Sequence, residues 1–226
     1  MKKITFISDT HQKHRQLTND LIGGDMIIHA GDIMTSGYYE TEVKDFCEWF
    51  SGLNNYEHKI FIAGNHDRLA ENNPNLFKRI LDEYPNITYL QDSEVVIDGI
   101  KIYGSPWQPW FYDWAFNLPR KGPGIMSKWQ AIPADTDILI THGPPNKILD
   151  YVVRDAFYAG CEELLERVME IKPKVNVFGH IHQGYGSIRV NDIEFINASV
   201  LNEAYSYANL PVDVEYDEVM GIVKYY

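Results

Sequence analysis

Cysteine is nearly absent: Cys47 and Cys161 are the only two in 226 residues. Two thiols, both in helix-like segments, do not make a disulfide framework, and they read as reduced core residues. The chain also lacks the paired cysteines of a structural zinc site. Basic residues are in short supply: 20 Lys and Arg stand against 32 Asp and Glu, a formal charge of -12. Tracking a long nucleic-acid backbone requires clustered cations, so extended nucleic-acid binding is not expected. A nucleotide-sized substrate stays compatible if metal ions supply local positive charge. No apolar run approaches the ~20 residues of a membrane span. The opening MKKITFISDT enters a strand-like run without the apolar stretch of a signal peptide. No membrane association and a cytoplasmic location are therefore expected. Repeats, low-complexity tracts and linkers are missing as well. With 45% hydrophobic residues, a single domain over residues 1–226 is expected.

What is present is alternation. KITFIS (3–8), DMIIHAG (25–31) and KIFIAGN (59–65) are short apolar runs ending in polar residues. Between the last two, Val43, Phe46, Cys47, Phe50 and Leu53 recur at helical spacing. Short buried strands joined by helices predict βαβ units and a mainly parallel sheet. SEVVIDGIKIYGS (93–105) reads as a hairpin around Asp98-Gly99, and GSIRVNDIEFINAS (186–199) as one around Asn191-Asp192. DILITHG (137–143) and KVNVFGH (174–180) read as strands, and GCEELLERVMEI (160–171) as a helix. RKGPGIMSKW (120–129) reads as a loop, and the tail after Asn202 as a terminal strand or a partner-binding arm. Two packed sheets flanked by helices would satisfy this α/β pattern.

The strand ends carry the chemistry. They deliver Asp9-Thr10-His11, Gly31-Asp32, Gly64-Asn65-His66-Asp67, Thr141-His142-Gly143 and Gly179-His180-Ile181-His182. Each cluster alone is weak, since a lone histidine on a strand is usually a hydrogen-bonded structural residue. Five in order, each after an apolar strand, predict one site, because ligands of open α/β sheets bind beyond the carboxyl ends of the strands. Asp9, His11, Asp32, Asn65, His142, His180 and His182 are too many ligands for one tetrahedral zinc. They suit two ions ~3.5–4 Å apart that share a carboxylate. Mixed nitrogen and oxygen donors fit several divalent metals. Manganese is the first expectation, with Fe, Zn, Co, Ni and Mg as alternatives. His180 and His182, like Asp9 and His11, are two apart, which turns both side chains to one side of an extended segment.

This set of motifs resembles the calcineurin-like metallophosphoesterase superfamily. The flanking strings GSPWQPWFYDWAFNLPR, DILITHGPP, AGCEELL, VFGHIHQGYG and INAS are similar to its small metallophosphoesterase-domain proteins, relatives of class III cyclic-nucleotide phosphodiesterases. The resemblance implies a four-layer αββα sandwich of two mixed β-sheets flanked by helices. It implies one ion on Asp9, His11, Asp32 and His182, a second on Asp32, Asn65, His142 and His180, and Asp32 as the bridge. His66 would stay off the metals as a catalytic residue facing substrate, with Asp67 orienting it. The implied reaction is hydrolysis of small phosphodiesters such as cyclic nucleotides by a metal-bridging hydroxide, His66 assisting the leaving group. A phosphomonoesterase, a single-strand or end nuclease, and a non-catalytic metal-binding scaffold are the alternatives, and homo-oligomerisation is left open.

Residues 107–116, WQPWFYDWAF, hold six aromatics. Pro106 and Pro109 argue for an irregular loop. Trp107 and Trp110 are expected to border the cleft with Asn65 and His66 and to stack on a base or aryl group, at ~1–3 kcal/mol per stack. Trp114 and Phe116 are expected in the core, His29 in the sheet, and His14 on a solvated helix surface.

Overall fold

The computed structural model describes residues 1–226. In chain order its strands are β1 (Lys2–Ile7), β2 (Gly24–His29), β3 (Tyr56–Phe61), β4 (Ile87–Tyr89), β5 (Ser93–Ile97), β6 (Ile100–Ser105), β7 (Gln108–Pro109) and β8 (Asn117–Leu118). They continue as β9 (Ile138–Thr141), β10 (Tyr151–Val152), β11 (Phe157–Tyr158), β12 (Val175–Phe178), β13 (Gly186–Val190), β14 (Ile193–Asn197), β15 (Val212–Asp217) and β16 (Gly221–Tyr225). The α-helices are α1 (Glu40–Ser51), α2 (Arg68–Asn72), α3 (Pro74–Leu81), α4 (Pro123–Gln130) and α5 (Glu162–Ile171).

Two six-stranded mixed sheets form, in the orders β16-β15-β1-β2-β3-β4 and β13-β14-β12-β9-β6-β5. Strands β1 to β4 run parallel, as do β6, β9, β12 and β14. Antiparallel hairpin strands complete both sheets. The reason lies in the period-2 placement of apolar side chains. Ile4, Phe6, Met26, Ile28, Ile60, Ile138, Ile140, Val175 and Val177 point into a core between the sheets. Ile7, Ile27 and Phe61 point the opposite way, onto Val43, Phe46 and Phe50 of α1 and Phe77 and Ile80 of α3. Tyr103, Leu139 and Phe195 meet Ile125 and Trp129 of α4 and Leu164 and Val168 of α5. Three apolar interfaces separate four layers, the αββα sandwich. Each fully buried Ile or Phe contributes roughly 1.5–3 kcal/mol. No helix is long and apolar enough to cross a membrane.

Both expected hairpins form. Asp98 (φ 50°) and Gly99 (φ 84°), and Asn191 (φ 49°) and Asp192 (φ 64°), take left-handed values. A two-residue I′ turn requires them at both central positions. The tail is a hairpin rather than a free arm, with β15 antiparallel to β1. Most of segment 120–129 is helix α4 rather than loop. Pro123 occupies the first turn, where its missing N–H has no helical partner to lose. Ile125 and Trp129, one turn apart, are buried against α5. His14 is fully buried rather than solvated, because its 3-10 turn packs on α1. Its Nε2 lies 3.1 Å from the Asp45 carboxylate and its ring 4.8 Å from that of Trp49. His29 is a sheet residue as expected, with Nε2 2.9 Å from the Thr10 hydroxyl.

Parallel strands place their carboxyl ends on one edge. There the two sheets are joined by a bridge between Ser8 and Ser199, with the Val200 N–H donating to the Ser8 carbonyl at 3.0 Å. The loops that follow β1, β2, β3, β9 and β12 therefore meet at this seam.

Candidate metal centre

The loops that carry the acidic and imidazole side chains are tightly bound to each other. Asp9 (φ 54°), His11 (φ 40°), Asp32 (φ 61°) and His180 (φ 66°) all hold left-handed backbone. Non-glycine residues rarely adopt it. Such strain persists only where surrounding contacts over-determine it. Here the Asp67 carboxylate accepts the backbone N–H groups of Asp32 (3.0 Å), Ile33 (3.3 Å), Met34 (2.8 Å) and Gly64 (2.7 Å). Asp32 Oδ1 accepts the His66 N–H at 2.7 Å. Asp9 Oδ2 accepts the His180 N–H at 3.0 Å and the Ser199 hydroxyl at 2.7 Å. Glycine is required where these loops touch. A Cβ on Gly64 would collide with the Asp32 carboxylate and the His142 ring, and one on Gly179 with Asp9 and Ser8.

The histidines are oriented by carbonyls. Nδ1–H of His11 donates to Met34 O (3.0 Å), that of His142 to Ala30 O (2.9 Å), and that of His182 to Asn202 O (2.9 Å). A carbonyl only accepts, so each Nδ1 carries a proton and each ring turns its Nε2 toward the cleft, the usual arrangement behind a metal-ligating histidine. His142 Nε2 is 3.3 Å from Asp32 Oδ2 and 2.9 Å from Asn65 Oδ1. His11 Nε2 is 3.7 Å from Asp32 Oδ2, and His182 Nε2 is 3.6 Å from Asp9 Oδ1. Donor atoms of Asp9, His11 and His182 lie within 4.8 Å of one another, as do those of His11, Asp32 and His66, and those of Asp32, His142 and His180. Asp32 belongs to two of these groups. His11 Nε2 is buried without a hydrogen-bond partner, a demand that a cation would satisfy. Asp9 and Asp32 are buried with only histidines facing their charge. The donor set fits two divalent ions.

Protonation follows from these contacts. Burial pushes His11 down to about 4, and burial together with the charge of His142 pushes His180 down to about 3. Both are neutral and ready to coordinate at pH 7. Burial opposes a charge on His142 too, but Asp32 outweighs it and lifts the ring to about 9, while the hydrogen bond and charge of Asp9 lift His182 to about 8. Asp9 and Asp32 stay well below the usual carboxylate range, because the histidines overcome their burial. Burial, then the charge of Asp32, raises Asp67 to about 8, against the pull of its N–H donors. Ion binding has to expel the protons on His142 and His182. Metal affinity should accordingly rise between about pH 6 and pH 9, by about tenfold per pH unit for each proton released. Titration calorimetry in buffers of different ionisation enthalpy checks this, and binding without proton release at about pH 7 would contradict it.

A cleft of about 300 Å³ opens over these groups. His11, Asp32, Asn65, His66, His180 and His182 line it, with Phe111 and Tyr112 from one loop, Val152, Arg154 and Phe157 from the β10–β11 hairpin, and Tyr205. A larger groove of about 560 Å³, at Asn19, Tyr185, Pro211 and Tyr226, contains none of the ligand set. His66 is placed as expected, at the cleft, but its orientation corrects the expected role of Asp67. The Asp67 carboxylate is consumed by backbone N–H groups, and the His66 Nδ1–H donates instead to Thr35 O at 2.6 Å. Asp67 ties the Asp32 loop to the Asn65 loop and does not touch the His66 ring.

The two tryptophans expected at substrate do not line this cleft. Trp107 is drawn away from the cleft: its Nε1–H donates to Asp92 at 2.8 Å, and the Lys128 ammonium sits 4.3 Å from its ring centre. Trp110 is exposed and lines a recess of about 70 Å³ beside the cleft. Phe111 and Tyr112 reach the cleft instead. Phe116 is buried as expected, whereas Trp114 is half-buried and stacks on His66, with ring centres 4.0 Å apart and planes at 25°. Arg154, Phe157 and Tyr205 were missed. They lie on segments with no periodic signal, brought in by chain crossings that a linear pattern does not encode.

Comparison with known proteins agrees with this geometry. The sequence pattern of the calcineurin-like phosphoesterases matches residues 2–184. Human metallophosphoesterase domain-containing protein 1 is 41% identical over 230 residues, spanning 92% of this chain and 69% of that protein. Two solved structures share the fold at low identity. The phosphopantetheinyl hydrolase of Mycobacterium tuberculosis gives a TM-score of 0.66 at 13% identity, over 96% of each chain. The protein TT1561 of Thermus thermophilus gives 0.59 at 13% identity, over 87% of this chain and 88% of that one. With the family pattern over most of its length, a close human relative and Asp and His side chains converging at the seam of the two sheets, the chain belongs to the calcineurin-like phosphoesterase family.

Proposed function

We propose that residues 1–226 form one domain that hydrolyses small phosphodiesters, cyclic nucleotides among them, with two divalent metal ions, manganese first. Asp9, His11, Asp32 and His182 would hold one ion and Asp32, Asn65, His142 and His180 the other. The observation that carries this reading is the membership of Asp32 in two groups of closely set donor atoms, one with His11 and His66 and one with His142 and His180. Bound ions would supply the charge that holds phosphate oxygens and lowers the pKa of a water. The remaining work falls to the chain. His66, tethered through Nδ1 to Thr35, presents Nε2 for a proton to the departing oxygen. Phe111, Tyr112 and Phe157 give the leaving group an apolar wall, and Arg154 is the only Lys or Arg lining the cleft. The acidic surface favours small substrates over nucleic-acid strands, and a cytoplasmic location goes with this reading.

The test is metal analysis of the purified protein, then turnover of bis-p-nitrophenyl phosphate, cyclic nucleotides, monoesters and single-stranded oligonucleotides. Diester turnover that disappears on chelation and returns with manganese is expected. A metal-loaded protein that turns over no ester on the panel would be a scaffold, and the proposal would fail.

A further inference from the structure

The proposed role of His66 depends on where its Nε2 points, and one hydrogen bond from Nδ1 does not fix a ring plane. The ring can still pivot about the bond to Thr35. Trp114 removes that freedom. Its indole lies face to face with the imidazole at 4.0 Å and 25°, while the His11 ring meets His66 edge-on at 4.5 Å and 78°. The indole also packs against a cation. The Arg68 guanidinium lies 4.6 Å from its ring centre, and Tyr38 lies beyond, with its ring centre 5.1 Å from that guanidinium. Arg68 forms no ion pair, and its Nη2 donates to the carbonyl of Asp113. The backbone beside Trp114 is pinned as well: the Ala115 N–H donates to Asn65 O at 3.0 Å, and the Asn117 amide donates to Trp114 O at 3.0 Å. Trp114 is thus fixed to the loop that carries His66. A half-buried indole so heavily held is more than filler.

We propose that Trp114, packed against Arg68, is the positioning residue for His66, holding the imidazole plane so that Nε2 faces the oxygen that leaves phosphorus. This rests on His66 acting as the proton donor. In that step the oxygen of a water-derived hydroxide bonds to phosphorus, and the P–O bond to the leaving group breaks with its electron pair on the leaving oxygen. The Nε2 proton of the His66 imidazolium moves to that oxygen, leaving a neutral ring that still donates from Nδ1 to Thr35. An alkoxide needs the proton, whereas a nitrophenolate leaves without it. Loss of positioning therefore weighs on alkyl esters far more than on nitrophenyl esters.

Trp114→Ala, Trp114→Phe and His66→Ala are compared in the manganese-loaded protein, on an alkyl diester and on bis-p-nitrophenyl phosphate. Trp114→Ala should lower kcat on the alkyl diester by about 10²-fold, the scale of a catalytic group misplaced by about 1 Å. The nitrophenyl ester should change only a few-fold. Trp114→Phe, which keeps a ring over the imidazole, should recover most of the loss. A second readout needs no metal: in the NMR spectrum of the metal-free protein, a His66 ring proton, assigned from its absence in His66→Ala, should be shifted upfield by the indole and return to its ordinary position in Trp114→Ala. Equal losses on both esters, no loss on either, or an unshifted His66 proton in the parent protein overturn the inference. If His66→Ala itself fails to discriminate between the esters, the proton-donor role falls and this inference with it. Failure of Trp114→Ala alone leaves that role standing.

Discussion

Asp32→Asn should empty both metal positions at once. Asp32 Oδ2 faces His142 Nε2 at 3.3 Å and His11 Nε2 at 3.7 Å, so one carboxylate faces donor atoms on both sides of the cleft. An amide there keeps the shape but removes the charge, and it turns either an N–H₂ group or a neutral oxygen toward two imidazoles. Metal ions of this kind supply several kcal/mol of transition-state stabilisation. At about 1.36 kcal/mol per tenfold, diester turnover should fall by about 10³-fold or more. Metal analysis should drop from two ions per chain to fewer than one. Asp9→Asn is the control: Asp9 groups only with His11 and His182, so the ion on Asn65, His142 and His180 should stay. Equal metal loss in the two variants would argue against Asp32 as the shared ligand.

His66→Ala carries the second large effect and separates chemistry from metal binding. The ring leaves, but the His66 backbone N–H still donates to Asp32 Oδ1, so the metal loops keep their geometry. Metal content should be unchanged. Turnover of an alkyl diester should fall by roughly 10²–10⁴-fold, the range for a general acid, and that of a nitrophenyl diester by much less. A variant with full alkyl-ester turnover would remove His66 from the mechanism. So would parallel losses on both esters with metal intact, since proton donation predicts a leaving-group dependence.

Much of the fold was legible because its causes are local or periodic. Alternating apolar residues at Ile4/Phe6 and Met26/Ile28 fix which face of each strand meets the other sheet, and Asp98-Gly99 writes its own turn. The polar clusters were legible for a similar reason. Parallel strands place their carboxyl ends on one edge, so the order of Asp9, Asp32, Asn65, His142 and His180 along the chain becomes convergence in space. What escaped is non-local or ambiguous. Gly122, Pro123 and Gly124 look like loop, yet Pro123 is tolerated in a first turn, and the burial of Ile125 and Trp129 decides for helix. His14 reads as surface until the 3-10 turn packs on α1. Asp67 lies beside His66 in sequence, but its carboxylate answers the orphan N–H groups of the Asp32 loop, a demand that appears only after folding. Which aromatic of 107–116 reaches His66 was likewise undecidable. The choice of Trp114 depends on Ala115 bonding to Asn65 and on Asp92 drawing Trp107 away.

Electron paramagnetic resonance of the manganese-loaded protein, with the metal content of the same sample, tests the shared role of Asp32 most directly. Two ions per chain about 3.5–4 Å apart through one carboxylate predict an exchange-coupled pair signal, replaced in Asp32→Asn by a weak spectrum of isolated ions. A single uncoupled Mn(II) per chain in the fully loaded parent protein would contradict it.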